Sequence, residues 1–107
     1  MAGAGAHDAV FAALSDPTRR QLMTLLSQAG GATPTELAAQ MPVSRQAVAK
    51  HLGSLAGAGL VESSRSGREV RYRLTPEPLS DAVAWMADVG AQWDTRLAAL
   101  EQALAKR

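Results

Sequence analysis

At 107 residues, 47% of them apolar, the chain has the length and composition of one folded domain with a single modest core rather than of a disordered segment. It contains no cysteine, which excludes a disulfide, a thiolate metal site and a cysteine nucleophile or redox switch. The formal net charge of +1 conceals an uneven distribution: residues 44–73 carry Arg45, Lys50, Arg65, Arg68, Arg71 and Arg73 against Glu62 and Glu69, a net +4, whereas residues 74–107 carry Arg96, Lys106 and Arg107 against Glu77, Asp81, Asp88, Asp94 and Glu101, a net −2.

The opening MAGAGAHDAV has neither a charged n-region nor a long apolar run, and no segment approaches the roughly 18 apolar residues of a membrane span, so a soluble, cytoplasmic protein is expected. A first helix is expected over residues 7–15, with Val10, Phe11 and Leu14 on one side. Asp16 and Pro17 restart the chain, one as a cap and the other at the first helical position, where its missing N–H costs nothing. The second helix, TRRQLMTLLSQ, should bury Leu22, Met23, Leu25 and Leu26 and stop at Gly30-Gly31. Its Arg19 or Arg20 is expected to pair with Asp16 or Glu36 rather than to touch DNA. Thr33 or Thr35 caps a short third helix through Leu37, Ala38 and Met41, ended by Pro42.

The fourth helix lies in VSRQAVAKHLGSLAGAGLV, residues 43–61. Ala47, Val48, Leu52 and Leu55 fall on its buried face. Ser44 is the N-cap, so Arg45, Gln46, Ala49 and Lys50 occupy the first two turns and point away from the core. Two short helices, a tight turn and a second helix with a polar outer face match a helix-turn-helix. His51 fits either a phosphate contact or a hydrogen bond within the fold, and Ser44 is a cap first and a phosphate contact second.

After Gly57 and Gly59 the period changes from 3.6 to 2. In GREVRYRL, Val70, Tyr72 and Leu74 alternate with Arg71 and Arg73, a half-buried strand with a cationic outer face. LVESSR is its partner, and Ser66-Gly67 supplies a residue that tolerates positive φ in the turn. Arg65 and Arg68 lie at the tip. A helix-turn-helix followed by a basic hairpin is a winged helix, here with a DNA-binding core over residues 7–75, the wing at about 60–75, and a clustered positive charge suited to a polyanion.

Residues 77–106 form the most regular segment. Leu79, Val83, Met86, Gly90, Trp93, Leu97, Leu100 and Leu104 alternate spacings of four and three, an unbroken heptad seam flanked by a second stripe, Ala82, Trp85 and Val89. A helix of that length spans roughly 45 Å, whereas a 100-residue globule has a radius of gyration of about 13 Å. One protomer cannot cover both stripes, so Trp85 and Val89 are expected on the protomer's own domain and the seam, with Val10, Phe11 and Leu14 of the first helix, against a second copy. The alternative is a long helix folded back on its own first helix. Met23, Met41, Trp85, Met86 and Trp93 could line a ligand pocket near Gly90, although such residues at helical spacing are usually core.

The run FAALSDPTRRQLMTLL, then TELAAQM, VSRQAVAKHLGSLAGAGLV and GREVRYRL, covering about residues 9–75, resembles the ArsR/SmtB family of winged helix-turn-helix repressors. The resemblance implies a mostly α fold with a small β-hairpin and a long C-terminal dimerisation helix. It also implies a bacterial transcriptional regulator, a homodimeric repressor on a palindromic operator, whose fourth helix enters the major groove of double-stranded DNA and whose wing lies over the flanking backbone or minor groove. The expected DNA contacts are Ser44, Arg45, Gln46, Ala49, Lys50, His51, Arg65, Arg68, Arg71 and Arg73. Metal-sensing relatives carry cysteines where this chain has Ala38 and Gln40, and a histidine and carboxylate set on the terminal helix that is reduced here to carboxylates. His7 and His51 stand on different helices, and zinc wants three or four nitrogen or sulfur ligands. The chain therefore resembles the metal-independent branch, with no metal or cofactor expected and with any small-molecule ligand unidentified. The sequence has no Gly-rich phosphate loop, HExxH, nucleophile elbow or carboxylate pair beside a histidine, so no enzyme is expected. A winged helix used only for protein contacts is the competing function, and six clustered cations speak against it.

Overall fold

The computed structural model describes residues 2–105, with side chains from residue 7 onward. Helices α1 (Ala2–Leu14), α2 (Pro17–Ala29), α3 (Pro34–Ala38) and α4 (Arg45–Gly57) precede a two-stranded antiparallel hairpin, β1 (Val61–Ser66) and β2 (Glu69–Leu74), and a final helix α5 (Pro76–Ala105). This is the mostly α winged helix-turn-helix that the sequence predicts. Lys106, the last residue of the expected terminal helix, lies outside the described residues.

Local chemistry sets the boundaries. α1 begins at Ala2, five residues earlier than expected. Asp16 Oδ1 accepts from the Thr18 and Arg19 N–H groups (2.7 and 3.2 Å), Pro17 takes the first helical position, and Gly30 at φ 72° ends α2. Thr33 rather than Thr35 caps α3. Its hydroxyl accepts from the Glu36 N–H (3.1 Å) while Glu36 Oε1 accepts from the Thr33 N–H (2.9 Å), a complete capping box. α3 stops at Ala38, short of Met41, because the Gln40 and Met41 N–H groups donate three residues back to Leu37 and Ala38 and tighten the chain ahead of Pro42. The Ser44 hydroxyl caps α4 through the Ala47 N–H (3.1 Å).

β1 and β2 pair from Val61 opposite Leu74 to Ser66 opposite Glu69 around the two-residue loop Gly67-Arg68. Gly67 has φ 62° and Arg68 does not share the positive φ, the pattern of a type II′ hairpin turn. One further pairing was not expected: Ala32 and Tyr72 exchange backbone hydrogen bonds of 2.9 and 2.8 Å, tying β2 to the residue before the α3 cap.

The core lies where α2, α3 and α4 converge, on Leu22, Leu26, Leu37, Val48, Leu52 and Leu55, closed below by Leu60 and Val61. Leu25 and Ala47, expected inside, are only half-buried. Val10 requires a correction: it is 1% exposed, enclosed by the protomer's own core, and retains almost no surface for a partner, whereas Phe11 and Leu14 are half-buried at the edge.

Among the described side chains, α5 packs on α1 over its first turns. Ala82 is fully buried, Leu79 half-buried, and the Trp85 ring lies 5.7 Å from Phe11 and 5.8 Å from His7. Trp85 and Val89, expected on the protomer's own domain, are 46% and 45% exposed, beyond Ala82, the last residue of α5 in the described core. Val83, Met86, Trp93, Leu97, Leu100 and Leu104 are also exposed, from 40% at Leu97 to 58% at Trp93. The protomer accordingly extends 70 Å along its long axis, with a radius of gyration of 18.8 Å. No described helix is long and apolar enough to cross a membrane.

Candidate nucleic-acid interface

The capping of α4 by Ser44 orients its first two turns, and Val48, Leu52 and Leu55 fix which face is turned inward. Arg45, Gln46, Ala49 and Lys50 are consequently exposed, as is Ser44. Arg45 Nε donates to the Thr35 hydroxyl at 3.0 Å, which steadies the stem of the guanidinium and leaves its two terminal nitrogens without a partner among the described residues. Gln46 and Lys50 have no side-chain partner among those residues either, so their hydrogen-bonding capacity faces solvent.

The four wing arginines separate into two pairs. Arg65 and Arg68 are exposed at the tip and join no ion pair among the described residues. Arg73 binds Glu62, the residue opposite it on β1, at 2.7 Å. Arg71 is shared between Glu36 of α3 (3.2 Å) and Glu69 (3.5 Å). The cationic outer face expected of β2 is therefore largely neutralised in place, and the net positive charge collects at the tip and on α4. The Thr33 N–H, with Arg71 and the Thr33 hydroxyl, holds the Glu36 carboxyl below the ordinary carboxylate range. It stays ionised and keeps its hold on Arg71. Arg45 and Arg68 border one cleft of about 540 Å³, which places the start of α4 and the tip of the wing on a common edge.

His51 is half-buried, its Nδ1 3.5 Å from Arg19 Nη1. Arg19 and Arg20 do not pair with Asp16 or Glu36 as expected. They donate to the carbonyls at the end of α1, Arg19 to Ala13 (2.6 Å) and to Ala12 (3.3 Å), which also accepts from Ser15, and Arg20 to Leu14 (2.6 Å). Asp16 keeps its carboxyl below the usual range, chiefly through the Arg19 N–H, then through the Thr18 N–H and the His51 and Arg19 charges. Met23 and Met41 are core residues while Trp85, Met86 and Trp93 stand on exposed α5, so the five do not gather into a pocket near Gly90, where an added Cβ would meet nothing. Among the described residues no three His, Asp or Glu side chains are grouped to hold a metal ion. Sequence reasoning missed Thr35 as the tether of Arg45 and Glu36 as the anchor of Arg71. The Thr33-x-x-Glu36 spacing was the available signal for Glu36, but it pointed to a cap and not to the wing.

A helix-turn-helix domain family matches residues 14–64. The transcriptional repressor SdpR of Bacillus subtilis (strain 168) is 35% identical over 77 residues, 72% of this chain and 84% of SdpR. Among solved structures, an ArsR-like transcriptional regulator from Rhodococcus sp. RHA1 aligns with a TM-score of 0.84 and 45% identity over 95% of each chain, a span that includes most of α5. The cadmium metal-sensor CmtR of Mycobacterium tuberculosis aligns with a TM-score of 0.55 and 40% identity over 63% of this chain and 68% of its own.

Proposed function

Because the chain belongs to the ArsR family of winged helix-turn-helix transcriptional regulators, we propose that it acts as a cytoplasmic homodimeric repressor that holds a palindromic operator through α4 and the wing. The observation that carries this is the common edge formed by the start of α4 and the wing tip, where Arg45, Gln46, Lys50, Arg65 and Arg68 have no carboxylate partner among the described residues. Gln46 and Arg45 reach base edges from the first turn of α4, and the tip arginines hold phosphates or the minor groove, fixing register without reading sequence. The exposed seam of α5 meets its twin, setting two recognition helices on successive faces of the duplex. Selection of bound sites from random DNA with the purified protein tests this. Two inverted half-sites about 10–10.5 bp apart, or a multiple of that spacing, are expected, and recovery of no common sequence would refute the operator.

The signal, if it is a metal, must be read without thiolates, unlike that of a cysteine-bearing sensor. Zinc, cadmium and arsenite are expected to leave the operator complex intact at concentrations that act on thiolate sites. Release at low micromolar metal, reversed by a chelator, would overturn assignment to the metal-independent branch.

A further inference from the structure

The cleft between α3, the start of α4 and β2 has the dimensions of a ligand site: about 540 Å³, within the range of roughly 300–1,000 Å³ usual for small molecules. Pro34, Val70 and Tyr72, each half-buried, supply its apolar lining, and Arg45 and Arg68, both exposed, its cationic one. Its two carboxylates, Glu36 and Glu69, are already engaged by Arg71. Around the cleft, three guanidiniums thus face two carboxylates, a net charge of +1, and the two guanidiniums that join no ion pair among the described residues are Arg45, tethered at Nε by Thr35, and Arg68. An apolar wall with cationic donors beside it selects for a flat apolar body that carries a negative group.

We propose that this cleft binds a small organic anion, a carboxylate on a flat apolar body, with the body against Val70 and Tyr72 and the carboxylate toward Arg45 and Arg68. The consequence rests on the DNA-binding reading above. Arg45 and Arg68 are also assigned to the operator, so an occupied cleft and a bound duplex compete for the same two side chains. Such an anion releases DNA by direct competition within each protomer and needs no change at the dimer seam.

The test uses the full-length protein and β-naphthoate as the probe, with neutral β-naphthamide as its control. In NMR titrations, β-naphthoate is expected to shift the Thr35, Val70 and Tyr72 resonances saturably, with a Kd of about 1 mM or tighter for a ligand of about a dozen heavy atoms. Its ring protons should show NOEs to the Val70 methyls and the Tyr72 ring. β-Naphthamide should bind at least about tenfold more weakly, since it forfeits the charge-assisted bonds. Val70→Trp, which fills the cleft, should abolish the shifts while leaving a folded protein by circular dichroism. The NOEs decide the case without any variant if that one misfolds. Absent or scattered shifts, NOEs to other residues, or equal affinity for the amide would overturn the site. In a parallel anisotropy titration, β-naphthoate at ten times its Kd should raise the apparent Kd for a labelled duplex carrying a single half-site, which one protomer engages, by about tenfold. Unchanged DNA affinity at saturation would overturn the competition. A protein that bound no duplex even without β-naphthoate would refute the operator reading, with the NMR arm still deciding the cleft.

Discussion

Gln46 and Arg71 are both polar residues of the elements proposed to face DNA, but Gln46 has no side-chain partner among the described residues whereas Arg71 has two. Gln46 is exposed in the first turn of α4, with an amide free to make two hydrogen bonds to adenine N6 and N7. Gln46→Ala is expected to cost about 1–3 kcal/mol on the preferred site and to relax the preference at one base pair of each half-site. Titrations against single-base variants of that site check it, and an equal loss on random DNA would take Gln46 off the base edge. Arg68→Ala, at the unpaired wing tip, should weaken binding to every sequence and make the salt dependence shallower by about one unit for each phosphate that the arginine neutralises. Arg71→Ala should scarcely move that slope, because Glu36 and Glu69 already share its charge, and it should cost under about 1 kcal/mol of stability as a half-exposed ion pair. The exposure of Arg45, Gln46 and Lys50 was legible in the sequence, since helical periodicity assigns a face to each position. The pairing of Arg71 and Arg73 was not. It depends on the register of the hairpin and on which residue of α3 lies beside β2, and neither is encoded by local spacing.

The elements themselves were legible where a residue closes its own turn, by its side chain or, at Gly30, by its backbone. Asp16, Ser44 and Gly30 act within three or four residues of the backbone groups they satisfy, so spacing alone identifies them. The choice between Thr33 and Thr35 turned on Glu36, whose carboxylate completes the box only with Thr33. Thr33→Ala should therefore lower stability by about 1 kcal/mol, roughly 4 °C in Tm for a domain of this size, whereas Thr35→Ala should leave the melting temperature unchanged and act only through Arg45. Two carboxylates at helix starts also fix the acid limb of stability. Asp16 and Glu36 both titrate below their ordinary values when folded. Their contribution is complete above the unfolded values, about pH 4, and disappears as the pH falls through the lower folded values. Thermal melts should be flat from neutrality to about pH 5 and decline below about pH 4, with the decline shallower in Asp16→Asn, which keeps an acceptor at the cap but no charge to titrate. The Ala32–Tyr72 bridge left no trace in the sequence, because a single residue pair has no periodicity to display.

At the scale of the molecule, the long axis of 70 Å and the apolar face of α5 point to the same conclusion. A free protomer would present Met86, Trp93, Leu97, Leu100 and Leu104 to water along one helix, a contiguous apolar surface that marks an association site in a globular protein. The heptad spacing made this face legible, and the structure narrows it: Val10 is withdrawn into the core, Leu79 is half-covered by the protomer, and the remaining seam from Val83 onward is exposed. If the seam joins two copies, the second recognition helix binds at high effective concentration once the first is seated, a gain of about 10²–10⁴ in affinity. Leu97 lies in this seam on the part of α5 clear of the core, so Leu97→Glu should strike assembly without touching the DNA-binding face. A carboxylate enclosed there would lose its hydration, find no partner, and stand close to its twin across the two-fold axis, at a cost of several kcal/mol. The variant should sediment largely as a monomer that keeps its far-UV circular dichroism, and its affinity for a palindromic site should fall at least about a hundredfold, while its affinity for an isolated half-site should change little. A stable dimer with near-normal operator affinity would place the contact between protomers elsewhere than on α5, and would leave the exposed heptad face without a role in DNA binding.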